Sequence, residues 1–201
     1  MNAHFFIIFI TFASLFSCKF ERDADASQMN KITLDSSAYL QLGDEITALS
    51  QATLLKNVSA AMKSGGPKYA IEFCSAEAMP ILDSLSQAHR ANIQRISLRN
   101  RNPENGPKTS TERIILETYD VDNQNALTLK PLISESNDHI SYFKPIKIGI
   151  PACLKCHGMP EADIDVSTLA KINELYPEDK AIGYKMGELR GAWKVTFEKL
   201  P

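Results

Sequence analysis

The chain has no excess of basic residues: 22 Lys and Arg stand against 24 Asp and Glu in 201 residues, a formal charge of -2. Binding to nucleic acid, which draws its affinity from neutralised phosphates, is therefore not expected. No internal repeat and no low-complexity tract is visible. No apolar run reaches the roughly 20 residues that span a bilayer. There is no phosphate loop, no Ser/His/Asp arrangement and no paired carboxylates, so nothing demands a catalytic reading. Cysteine and histidine are scarce, four of each. With 44% hydrophobic and 23% charged residues the chain has an ordinary globular composition, and one folded domain is the expectation.

The N-terminus departs from this average. Phe5 to Phe16 form an uncharged apolar run of signal-peptide length, ending in Leu15-Phe16-Ser17-Cys18. The ending resembles a lipobox, in which cleavage before the cysteine leaves an acylated N-terminus, here at Cys18. The alternative is an ordinary secretion signal: no Lys or Arg precedes the run, and Phe16 is bulky for a lipobox. The expected layout is a signal peptide over 1–17, a polar flexible tether over 18–32 and a folded domain over 33–201, exported and held to a bacterial membrane by lipid.

Acylation of Cys18 would leave Cys74, Cys153 and Cys156, an odd number in an oxidising compartment where structural cysteines pair. Cys153-Leu154-Lys155-Cys156-His157 accounts for two of them, because Cys-x-x-Cys-His is the attachment pattern of c-type haem. On a helical turn the two thiols reach the two vinyl groups of one porphyrin edge, and the following imidazole comes under the iron. One covalent haem c is thus expected, with His157 as a metal ligand. A Cys153–Cys156 disulfide, a redox pair and another metal site are the alternatives. The redox pair lacks a thioredoxin-like βαβ pattern, and zinc lacks further ligands at finger-like spacing, since His4, His89 and His139 lie far off.

Hydrophobic periodicity predicts helices over 36–64 and 68–89, separated by Gly65-Gly66-Pro67, with Cys74 on the inward stripe of the second and Pro80 as a possible kink. Residues 92–99 alternate as a half-buried strand. Thr109-Ser110-Thr111-Glu112 is placed to cap a short helix through Ile114, Ile115 and Leu116. Strands are expected over 127–134 and 139–148, with Pro131 and Pro145 marking edges or bulges. A helix over 166–175 and a last strand over 191–200 complete an α+β domain with helices packed on one sheet.

Around the haem segment, Leu98-Arg-Asn-Arg-Asn-Pro-Glu-Asn-Gly-Pro107, Tyr176-Pro-Glu-Asp-Lys-Ala-Ile-Gly-Tyr184 and Gly187-Glu-Leu-Arg-Gly191 resemble successive motifs of the Tll-like haem c domains, first catalogued as a domain of unknown function. The resemblance covers about 34–200. It implies a PAS-like α+β fold and a redox sensor, small-ligand sensor or electron carrier with an unidentified redox partner. No kinase or cyclase follows the last expected strand, so a stand-alone lipoprotein is the reading. The family's His and Cys axial ligation implies Cys74 as the ligand opposite His157; Met79, Met186 and His89 are its rivals. Arg190 and Tyr184 are candidates for hydrogen bonds to the haem propionates, and Glu178-Asp179-Lys180 reads as solvated surface. The competing function is a peroxidase-like oxidoreductase at an open haem face, which needs a distal acid or base from His89 or His139.

Overall fold

The computed structural model describes residues 20–199, and side chains from residue 37 onward. Cys18, the signal segment and His4 lie outside the described residues. The chain divides into two compact units, Met1–Asp35 and Ser36–Pro201. Helix α1 (Phe20–His89) takes in much of the stretch expected to be a flexible tether. Polarity suggested coil there, but 19–42 contains neither Gly nor Pro and so carries no strong helix breaker. The second unit holds the sheet and the helices packed on it.

Within α1 the backbone is non-helical at Gly65 and Gly66, where the sequence places the break between two helices. Gly66 sits at φ 73°, a conformation that favours glycine, and Pro67 starts the next helical segment. Pro80 lies inside that segment without ending it. Strand β1 (Asn92–Ile96) follows, and after the intervening loop comes helix α2 (Ser110–Gln124). The α2 helix is longer than the short helix expected. The Glu112 backbone N–H donates to Thr109 Oγ1 at 3.2 Å, while the Glu112 carboxylate accepts from the backbone N–H of Lys108 at 2.6 Å. Strands β2 (Leu132–Glu135) and β3 (His139–Lys147), helices α3 (Pro151–His157) and α4 (Val166–Leu175), and strand β4 (Leu189–Glu198) complete the order.

The four strands form one antiparallel sheet in the order β1-β4-β3-β2. The last strand in sequence therefore enters the middle of the sheet, which its two-sided apolar pattern allows. Trp193, Val195 and Phe197 face a core with Ile46, Leu54 and Leu82 of α1. Ala192 faces the other way, with Ile115, Leu116 and Tyr119 of α2. Helices thus cover both faces, where the sequence suggested helices on one sheet without dividing them. Pro145 is correspondingly not at an edge: it pairs with Ala192 in interior strand β3, next to a register shift at Ile146/Lys147. Its missing N–H is tolerated where the ladder is already irregular.

Candidate functional site

That shift is a β-bulge. Ile146 pairs with Gly191 and Lys147 with Leu189, so Arg190 has no partner on β3. Bulges bend a strand and re-aim a side chain. Gly191 makes this bulge possible: at φ 155°, a Cβ would run into the carbonyl oxygen of Ile96.

Arg190 lines a partly open cavity of about 480 Å³ bounded by both segments of α1, the end of β1, the end of β3 and helix α3. The walls are mainly apolar, with Leu54, Val58, Ile71, Ile96, Ile146 and Ile148 among them. Cys74, Cys153, Cys156 and His157 line the same space, so the structure gathers all the proposed haem attachment and iron-binding residues around one cavity. Pro151 opens α3 at its first turn, and Gly158 ends it with an N–H bond to Leu154 O. The three cysteines are free thiols. Burial raises the Cys74 thiol above its usual value and pushes Cys156 up to about 11, against the nearby Arg101 charge in both cases.

His157 is oriented for coordination through its outer nitrogen. Its Nδ1 lies 2.8 Å from the carbonyl oxygen of Ala181, an acceptor only, so Nδ1 carries the proton and Nε2 keeps its lone pair. Burial, reinforced by the positive charges of Arg190 and Arg101, holds the ring well below its usual pKa and hence neutral. The ring of Tyr184 packs against it edge-on, with centroids 6.2 Å apart.

The Ala181 carbonyl is held in turn by a closed chain of hydrogen bonds. Arg101 donates through Nε and Nη2 to the two oxygens of Asp179, at 3.2 and 3.1 Å, and through Nη2 to the carbonyl oxygen of Cys156 at 2.6 Å. Asp179 Oδ1 accepts from the Ala181 backbone N–H at 2.8 Å. The chain leaves α3 at Cys156 and returns to it at His157. The expectation for Asp179 is overturned here. Its side chain is 4% exposed and Arg101's 11%, a buried ion pair rather than a solvated run. The acidic and basic neighbours in sequence hid a partner 78 positions away.

Tyr184, named among the candidates for propionate contact, is a core residue here. It is 2% exposed, packs with Ile148 and Ala181 against Cys153 and Leu154, and does not line the cavity. Its segment folds beneath α3, because Gly183 N–H bonds Gly158 O and Tyr184 N–H bonds His157 O. The guanidinium of Arg99 lies 3.8 Å from its ring centroid. Among the rival ligands, Met79 lines the cavity and Met186 and His89 do not. His89 and His139 are both exposed. Sequence reasoning assigned no role to Arg95 of β1, which lines the cavity and leaves a buried Nε without a partner, as Arg190 does. The only sequence signal for Arg95 was a charge inside a half-buried strand.

Sheet, bulge and cavity define an α+β domain built around a partly open cavity that bears thiols and an imidazole. The chain belongs to the Tll0287-like family, whose model matches residues 22–197. It is similar to the crystal structure of the cyanobacterial heme-protein Tll0287, with 25% identity and a TM-score of 0.57 over 80% of this chain and 96% of that one. Comparison with curated proteins gives no match.

Proposed function

We propose that the chain is a c-type haem protein that acts in redox or small-ligand sensing or in single-electron transfer, tethered to a membrane through an acylated Cys18. The carrying observation is that Cys153, Cys156 and a neutral His157 with its Nε2 free line one apolar cavity. The donor set fits a haem better than a bare ion: among the described residues no three His, Cys, Asp or Glu side chains converge as a metal-ion site. The likeness to a heme-protein supports the same reading.

When bound, the haem supplies a one-electron couple and an iron centre for axial ligands. The protein's part is to hold and insulate it. Cys153 and Cys156 would hold it by thioether bonds, and His157, its tautomer set by Ala181, would bind the iron through Nε2. Cys74, on the inward stripe of α1, would be the second protein ligand, and a thiolate there would favour oxidised iron and make the centre a poor electron acceptor. A peroxidase-like reading has less support, since neither His89 nor His139 reaches the cavity to act as acid or base. Signal or electrons would pass to a partner protein outside the cytoplasm.

The test is the exported protein made with haem-maturation machinery. Denatured material is expected to stay coloured and to weigh one haem more than the processed polypeptide; colourless material at the unmodified mass ends the proposal. Oxidised and reduced visible spectra of wild type and Cys74→Ala then read the second ligand. An unchanged Cys74→Ala spectrum removes Cys74, and a spectrum indifferent to CO removes gas sensing.

A further inference from the structure

We infer that Arg95 and Arg190 form a carboxylate-binding pair in the cavity wall, and that they hold the two propionates of the haem. The inference rests on the haem reading above and adds the way the acidic edge is recognised, with Arg95 as an equal partner of Arg190.

Both guanidinium groups line the cavity, on adjacent strands: Arg95 pairs with Trp193 in the β1–β4 ladder, and Arg190 is the bulged residue of β4. Each leaves an Nε–H buried without a partner. Native structures rarely leave a buried donor unpaired, and a buried charge without a counter-charge is costlier still. Neither arginine makes an ion pair among the described residues. Arg190 spends Nη1 on two neutral oxygens, Ser97 Oγ and the Arg99 carbonyl, both at 3.0 Å. Its Nε edge is left over.

Among the described residues, the carboxylate acting on Arg190 is already committed elsewhere. Asp179 is bound by both arms of Arg101. The ionisable groups acting on Arg95 are Cys74, which the haem reading commits to the iron, and Tyr176, whose phenol burial pushes toward its neutral form. Arg95 also lies 6.0 Å from the Trp193 ring centroid, a contact that supplies no negative charge. Two like charges on neighbouring strands repel, and the bulge at Gly191 adds a conformational constraint in order to aim one of them inward. An anionic ligand that offers carboxylates to two guanidinium edges resolves each of these costs, because the planar fork matches a carboxylate with two parallel hydrogen bonds. A haem held by its vinyl edge on α3 carries two such carboxylates on its far side.

The test is infrared spectroscopy of the matured holoprotein carrying haem with 13C-labelled propionate carboxyls. Wild type is expected to show ionised carboxylate bands only. Arg95→Gln and Arg190→Gln are each expected to bring up a protonated carbonyl band, as a buried carboxylate loses its counter-charge. Arg95→Lys and Arg190→Lys, which keep charge but lose the fork, shift the bands without protonation and cover the case in which a glutamine variant fails to accumulate. Bands identical to wild type in variants that retain haem overturn the assignment. Wild-type protein that carries no haem, seen first by mass, brings down the underlying reading and this one with it.

Discussion

Single residues fix this site because each occupies a position that alternatives cannot fill. Gly191 is the sharpest case: its φ of 155° and the nearness of the Ile96 carbonyl leave no room for a side chain. Gly191→Ala is expected to cost about 1–3 kcal/mol of strain, with more if β1 and β4 separate. Straightening the bulge would also withdraw Arg190 from the cavity. The checks are a denaturant titration and the haem content of exported protein; unchanged midpoint and full haem content would show that the bulge tolerates a Cβ. His157 illustrates the limit of motif reading. The pentapeptide points to a ligand and to bonds to a porphyrin, but the proton position on His157 follows from Ala181, 24 residues downstream.

Among elements, local signals were legible and distant pairings were not. The Gly65-Gly66-Pro67 break, the Thr109 cap, the hairpin of β2 and β3 and helix α4 all stood in the sequence, because each is set by neighbours within a turn or two. The central place of β4 and the α2 cover on the second face depend on packing between distant segments, and periodicity carries no information about which partner is chosen. Arg101 and Asp179 belong to the same class. They join the loop after β1, the C-terminal end of α3 and the loop after α4, so their ion pair is a tie between elements. Removing one member strands the other as a buried charge. Arg101→Met is therefore expected to destabilise by about 3–5 kcal/mol. In molecules that still fold, Ala181 is no longer braced and the Nδ1 hydrogen bond of His157 weakens. A less basic imidazole donates less to the iron, so the reduction potential should rise. Spectroelectrochemistry beside denaturant melting separates the two effects: lost stability with an unmoved potential would make the tie structural and nothing more.

At the scale of the molecule, the cavity divides the packing into parts that depend on its contents to different degrees. The core of Ile115, Leu116, Tyr119 and Phe143 between α2 and the sheet is formed by side chains packed on one another. The walls formed by the second segment of α1 and by α3 face about 480 Å³ of space, and the packing shared by the two is the small cluster of Ile71, Ile164 and Ile172 with Cys156 against it. A haem bonded to α3 and ligated from α1 would add a larger link across the cavity, and a ligand bound to the native state alone stabilises by the free energy of its binding. Stability is expected to be uneven once the link is lost, with elements that lack packed partners opening first. In Cys153→Ser/Cys156→Ser protein, amide exchange should accelerate over 67–89 and 151–158. Over α2 and the β3–β4 ladder it should remain close to that of the holoprotein, because Tyr119 stays hydrogen-bonded to the carbonyls of Lys130 and Phe143 on that side. Uniform acceleration across the chain would mean that the sheet and both helical layers fold as one cooperative unit with the haem. No change anywhere would mean that α1 and α3 hold the cavity open unaided.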